Sequence, residues 1–251
     1  AELVVSNWRP VILYSGTLEG LELTFHSVES PQGTNVKIPE KKRLIGGAQK
    51  NLHAVMDDTI EIGKQMLVFV SSRSSAQKEA RELSAHIKSR IASGKIQPDS
   101  EMAKSWDSIA KSLSSNNESS ATIKALENSV RGGVGFHHAG LTGKQRKIIE
   151  QGFRDGSLAC IVATPTLAQG VNLPASRVIV RDSKRWSVVA ARNMPLPIME
   201  VKQMMGRAGR PGFDEFGESF LVSKSTNETE SLVDFYLRGK CSNCGKRISY
   251  R

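Results

Sequence analysis

From residue 66 onward the chain alternates short, continuous apolar runs with segments of helical period. MLVFV (66–70), VGFHH (134–138), LACIVAT (158–164), RVIVRD (177–182) and ESFLVS (218–223) all have strand length. Runs of this kind suit strands covered on both faces. Between them, apolar residues recur every three or four positions, as in Ala76, Ala80, Leu83 and Ile87, or in Ile148, Ile149 and Phe153. PIMEVKQMMGRAG (197–209) and SLVDFYL (231–237) read as two further helices. Strands separated by helices require right-handed crossovers and a mostly parallel sheet. The expected fold is α/β, an open, mostly parallel sheet with helices on both faces.

Local signals refine this outline. Ser74 with Gln77, and Thr142 with Gln145, have the spacing of capping boxes and mark two helix starts. VILYSG and LELTFH predict a hairpin near residues 11–26, and SPQGTNVKIPEKK after it reads as a surface loop. Leu52, Val55, Met56 and Ile60 predict a helix within 47–62. The polar, Ser-rich stretch 92–122 is expected to be a surface insertion holding one short helix near Met102–Leu113 and the segment SSNNESS. The chain thus divides into an entry segment with a hairpin (1–45), one domain (46–240) and a basic tail (241–251).

Lys and Arg outnumber Asp and Glu by 35 to 25, giving a net charge of +10. An excess of that size favours an anionic partner, nucleic acid first and an acidic membrane second. Two basic stretches point the same way. Residues 177–192 carry Arg177, Arg181, Lys184, Arg185 and Arg192 against Asp182, with Trp186 interleaved, and Arg238–Arg251 has no acid. The three cysteines, Cys160, Cys241 and Cys244, are too few and uneven for a disulfide framework, so a reducing compartment, the cytoplasm, is expected. Cys241 and Cys244 have the spacing of half a zinc site, but no second pair of ligands lies near them, and no metal site is expected. No apolar run approaches the ~18–20 residues of a membrane span, and the opening AELVVSNWRP lacks the features of a signal peptide.

A phosphate loop would read G-x-x-x-x-G-K-[ST]. Gly-Lys pairs begin at 63, 94, 143, 239 and 245, and the residues after them are Gln, Ile, Gln, Cys and Arg. An acidic metal-holding box is also absent, so these residues do not make a complete P-loop NTPase site. Three other segments are expected at the carboxyl ends of strands, where open α/β sheets bind ligands: FHHAGLTGKQR (136–146), ATPTLAQGVNLPA (163–175) and QMMGRAGRPG (203–212). In the last, Arg207 and Arg210 are three apart and are expected to point the same way from a helix end, with Gly206 and Gly209 allowing close backbone approach. Two convergent guanidiniums suit the charge that spreads over a γ-phosphoryl group. Two solvated arginines at a Gly-rich helix end are the alternative.

LVFVSSR (67–73), GVGFHHAGL (133–141), ATPTLAQGVNLPA (163–175) and QMMGRAGRPGFDEFGE (203–218) together resemble, in order, motifs IV to VI of superfamily 2 helicases. GVNLPA and GRAGRP resemble the Ski-like branch, and AELVVSNWRP is similar to the archaeal stalled-fork repair helicases, relatives of the helicase part of polymerase theta. The resemblance covers about residues 1–238. It implies a second RecA-like motor domain of an ATP-dependent, 3′ to 5′ DNA helicase acting in fork repair and recombination. The chain would then begin where a preceding RecA-like domain ends. ATP and Mg2+ would be held mainly by that domain, and the fragment alone would be inactive. The implied partners are that domain and single-stranded or forked DNA, with no membrane.

The resemblance also implies roles. Arg207 and Arg210 match arginine fingers, and Gln203 matches the polar residue opening motif VI. Gly170 and Asn172 match positions beside the nucleotide. Thr164 and Thr166, Ser72 and Arg73, and His137 and His138 match contacts to the strand backbone. The residues by themselves leave other readings open: core histidines, helix caps at Ser72 and Thr166, and a solvated Arg73. An RNA helicase of the same branch, or a non-catalytic nucleic-acid-binding module, would share most of these features.

Overall fold

The structure, a computed structural model, describes residues 10–31, 36–44, 51–98, 100–113 and 120–239. The opening AELVVSNWR, most of SSNNESS and the Cys241–Cys244 tail lie outside the described residues.

Eight strands form one sheet: β1 (Ile12–Glu19), β2 (Glu22–Glu29), β3 (Lys42–Arg43), β4 (Met66–Phe69), β5 (Val134–His137), β6 (Cys160–Ala163), β7 (Arg177–Val180) and, last in the chain, β10 (Phe216–Ser223). Their order is β3-β2-β1-β10-β7-β4-β6-β5. Six of them, from β1 through β10, β7, β4 and β6 to β5, run parallel, with Met66 level with Cys160 and Arg177. Every residue of β4, β5, β6 and β7 is buried, as their unbroken apolar runs demanded. The chain moves outward from β4 to β5 and then back across β6 and β7 to β10, so right-handed crossovers put helices on both faces.

The helices are α1 (Asn51–Glu61), α2 (Arg73–Ala92), α3 (Ser100–Leu113), α4 (Ala121–Val130), α5 (Gly143–Arg154), the short α6 (Thr166–Gly170), α7 (Ile198–Met205) and α8 (Thr226–Leu232), which continues as a π-helical turn, Val233–Leu237. The Thr142–Gln145 box forms in both directions. The box expected at Ser74 does not cap α2. Ser72, extended at φ −140°, caps it by accepting from the Ser75 amide at 3.1 Å, which leaves Gln77 free to reach His138.

Three further expectations need correction. The hairpin β1–β2 is not set apart by a boundary near residue 45, because β1 pairs in parallel with β10 along its whole length and so extends the same sheet. The 92–122 stretch is only partly a surface segment: the helix expected near Met102–Leu113 forms as α3, but its Trp106, Ala110 and Leu113 are buried, and Trp106 donates its Nε1–H to the Ser157 carbonyl at 2.6 Å. The basic stretch 177–192 partly folds inward. Arg177 is 2% exposed and meets Glu218, Asp58 and Thr59, while Arg181 pairs with Asp182 and Glu79. Its remainder forms an antiparallel hairpin, β8 (Lys184–Ser187) with β9 (Arg192–Pro195), turning through Ala191 at φ +47°.

Candidate functional site

Two clefts open at opposite edges of the parallel sheet. At the carboxyl edge, the loops after β4 and β6 bring Ser72, Arg73, Thr164 and Thr166 to one cleft of about 330 Å3. Ala139, Leu196 and the Arg185–Glu200 ion pair (3.1 Å) also line it. The Thr164 and Thr166 hydroxyls lie 3.0 Å apart, and Ser72 is spent on capping α2. The loop bearing Ser72 is fixed from behind, since the Ser71 amide and hydroxyl both donate to Asp182. Burial pushes the Asp182 carboxyl up, but the donors of Arg181 and Ser71 outweigh it and hold it below the usual carboxylate range.

His137 and His138 stand behind this cleft rather than in it. His137, 3% exposed, meets Glu150 Oε1 through Nε2 at 2.9 Å. His138, 2% exposed, accepts the Gly140 amide at Nδ1 and meets the Gln77 side chain at Nε2. Burial lowers the pKa of both rings. The Gly140 amide needs an acceptor at Nδ1, which puts the proton of the neutral His138 ring on Nε2; a hydrogen bond from there to Gln77 then requires the amide oxygen, not the nitrogen, to face the ring. Both rings therefore brace the walls rather than line the cleft.

At the amino edge, the segment after α7 and the entries to β1 and β7 enclose a cleft of about 380 Å3. Asn172, Gln203 and Arg207 line it together with Pro10, Val11 and Gly209. A parallel bridge between Ala175 and Ala208 fixes this wall, closed by Ala175 N–H to Arg207 O (3.0 Å) and Gly209 N–H to Ala175 O (2.8 Å). Gly209 sits at φ +91°, and a side chain there would run into Val11 at 2.8 Å. The Arg207 guanidinium donates to Asn172 Oδ1 at 3.1 Å and to the Ala168 carbonyl, and burial depresses its pKa. Gly170 is exposed at the end of α6 on the segment linking the two clefts.

Arg210 departs from the expected convergence. The helix ends at Met205, and the positive φ of Gly209 turns the chain, so Arg210 points away from Arg207's cleft. Its Nε and Nη2 donate to Asp214 and its Nη1 to Gln65 Oε1 at 2.7 Å. Asp214 also takes Lys64 Nζ (2.8 Å) and Ser176 Oγ (3.1 Å). Burial pushes this carboxyl up, but its donors, led by Arg210, bring it down to about 2. The expectation that 203–212 lies at a carboxyl edge is corrected as well. The segment precedes β10 and so falls at the amino edge.

Residues 108–212 match the family described as the helicase conserved C-terminal domain. The chain is 38% identical over 239 residues (94% of its length) to the ATP-dependent DNA helicase Hel308 of Methanocella arvoryzae. It is 37% identical over 250 residues (99%) to that of Pyrococcus horikoshii, and 38% over 248 residues (99%) to that of Pyrobaculum calidifontis. This chain belongs with the helicase C-terminal domains of Hel308-type superfamily 2 helicases. It spans 29–32% of the length of these relatives. The eight-stranded sheet is accordingly the RecA-like fold of that domain.

In this Hel308-type domain, sequence reasoning missed Gln65 and Asp214, which clamp Arg210, and the β8–β9 hairpin, which brings Arg185 to the strand-edge cleft. Only Asp214, four residues from Arg210, left a local signal. Among the described residues no His, Cys, Asp and Glu cluster suits a metal, and no helix is long and apolar enough to cross a membrane.

Proposed function

We propose that this domain is the second motor unit of an ATP-dependent, 3′ to 5′ DNA helicase acting in fork repair and recombination in the cytoplasm, at the nucleoid. The observation that carries the proposal is the pair of clefts on opposite edges of one sheet, joined by residues 163–175. The amino-edge cleft fits phosphate oxygens, since Arg207, Gln203 and Asn172 offer donors there without a neighbouring carboxylate among the described residues. It does not fit Mg2+, which needs oxygen ligands of carboxylate type. A preceding RecA-like domain would hold ATP and its metal, and ATP supplies the phosphoanhydride whose cleavage drives the cycle.

Arg207 then acts on charge that develops at the transferred phosphoryl group, with Asn172 keeping its planar fork aimed. Gln203 and Gly170 line the path between nucleotide and strand. At the other edge the hydroxyls of Thr164 and Thr166, the Ser72 loop and the Arg73 guanidinium suit a phosphate backbone. Such contacts distinguish DNA from RNA poorly; the relatives' being DNA helicases supports DNA.

Two measurements on the 251-residue chain test this reading. With single-stranded DNA present, phosphate release should stay at background, because no phosphate loop is present. Fluorescence anisotropy should show weak strand binding without base preference that falls steeply as salt rises. Robust turnover lost in Arg207→Ala would sink the split nucleotide site, and salt-independent binding would sink the backbone grip.

A further inference from the structure

The helix α2 has a second face that neither cleft uses. Its buried side is Ala76, Ala80, Leu83 and Ile87. Its exposed side carries Lys78, Arg81 and Lys88, with Lys95 just beyond the helix end. Lys78, Arg81 and Lys88 are three and seven residues apart and so form one stripe on the helix, while Arg73 at its amino end turns toward the carboxyl-edge cleft. Of the helix's two acids, Glu79 is buried against Arg181, and Glu82, half-buried, stands one turn on from Lys78 at the border of this side.

Elsewhere the cations are mostly paired. Lys41, Lys42, Lys64, Lys111, Arg177, Arg181, Arg185 and Arg210 each meet an acid within 4.0 Å. Lys78, Arg81 and Lys95 have no acidic partner among the described residues, and Lys88 meets only the Asn128 carbonyl, at 2.7 Å. Lys78, Arg81 and Lys88 therefore put three cations without an acidic partner on the exposed side of one rigid rod. At ~1.5 Å per residue the rod is ~30 Å long. It begins at Ser72 and Arg73, in the wall of the strand-edge cleft.

We propose that the exposed face of α2 is a phosphate track, along which a single strand leaving the carboxyl-edge cleft is held by Lys78, Arg81, Lys88 and Lys95. The proposal rests on the reading of that cleft as the strand site. Continuity with the cleft and charge complementarity select the partner. The face has no Phe, Tyr or Trp to stack a base, so its grip is on backbone charge alone. It lengthens the footprint without adding sequence preference.

The test compares a short oligothymidylate of about 4 nucleotides with a long one of about 16, using the 251-residue chain. The triple variant Lys78→Gln, Arg81→Gln, Lys88→Gln should lower the salt slope for the long strand by about 2, at ~0.7 per lost phosphate contact. It should leave the short strand unchanged. A control triple, Lys37→Gln, Lys104→Gln, Lys224→Gln, removes the same charge from other exposed sites and should leave both strands unchanged. The single Arg81→Gln variant should lower the long-strand slope by about 0.7. Equal losses in the two triples would overturn the track, as would loss of the short strand or loss confined to a duplex competitor. If Thr164→Ala weakens the short strand while the stripe variants match wild type, the cleft stands and the track falls. If no strand binds at any length, both readings fall together.

Discussion

The two edges of the sheet differ in how they are built. The carboxyl edge is made of loops that follow strands, carries hydroxyls and Arg73, and is braced by buried side chains: Asp182 under Ser71, His138 under Gly140. The amino edge is made by backbone, with the Ala175–Ala208 bridge and the tight turn at Gly209 placing Arg207. One segment is anchored to both. It leaves the first edge with the Thr164 amide on the His137 carbonyl and reaches the second with the Ala175 amide on the Arg207 carbonyl. The lesson is that coupling between the two proposed anion sites would need no long relay. A shift of residues 164–175 moves one wall of each cleft, and the buried strands between them resist deformation.

The largest expected difference between the edges is in rate. In the full-length enzyme, Arg207→Ala should cut ATP turnover by about 10³ or more while leaving strand affinity within a small factor, and Arg207→Lys should rescue little. Steady-state turnover with saturating single strand, measured beside anisotropy, separates the two. Loss of strand binding with turnover preserved would reverse the assignment of the edges.

The second difference is between the two arginines of one motif. Arg210 is committed to Asp214 and Gln65, so Asp214→Asn or Arg210→Ala should destabilise the 251-residue chain by about 1–3 kcal/mol, since charge-assisted hydrogen bonds are lost while Asp214 would keep Lys64 and Ser176. Arg207→Ala should shift the thermal midpoint far less. Should Arg210→Ala melt like wild type yet abolish turnover in the full-length enzyme, Arg210 is a finger released on closure rather than a clamp.

The residues that set this contrast were unequally visible in the sequence. Strands β4 to β7 were legible because burial on both faces leaves an unbroken apolar run. The Thr142–Gln145 cap was legible because its chemistry is local. Helix α4 was overlooked although Ile123, Leu126 and Val130 keep helical spacing, because the Ser-rich stretch before it masked the signal. The β8–β9 hairpin pairs KRWS with RNMP, two edge segments with no apolar alternation to betray them. The grouping of Ser72, Arg73, Thr164 and Thr166, and of Asn172, Gln203 and Arg207, agrees with the motif resemblance. The partner of Arg210 at Gln65 lies 145 residues away, a distance only the folded sheet closes.

A smaller effect is expected at the carboxyl edge. Thr164→Ala removes one hydroxyl from the cleft and should weaken single-strand affinity about fivefold, on the order of 1 kcal/mol, without changing basal turnover. It should also loosen the link between turnover and unwinding, read as more ATP consumed per base pair opened. An unchanged affinity would shift the strand grip from Thr164 to Thr166 and Arg73.

The smallest difference is in pH response, and it concerns what lies behind the edges. Burial holds the pKa of His138, and of its neighbour His137, below the ordinary histidine value of ~6.5. A base whose folded pKa is depressed contributes stability that is fully present above ~6.5 and is lost as pH falls through that value toward the folded pKa. Protonated His138 would give up the Gly140 amide and place a cation near Arg73, which already disfavours the charged ring. The thermal midpoint should therefore fall between about pH 7.5 and about 5.5. Asp214, with its carboxyl at about 2, stays ionised throughout that window and contributes nothing to the change. His138→Asn keeps an acceptor for the Gly140 amide but cannot titrate, so its midpoint should fall less steeply, with His137 and His26 supplying the remainder. A wild-type midpoint that is flat across the window would mean the rings are not held neutral, and the brace behind the strand edge would have to be sought elsewhere.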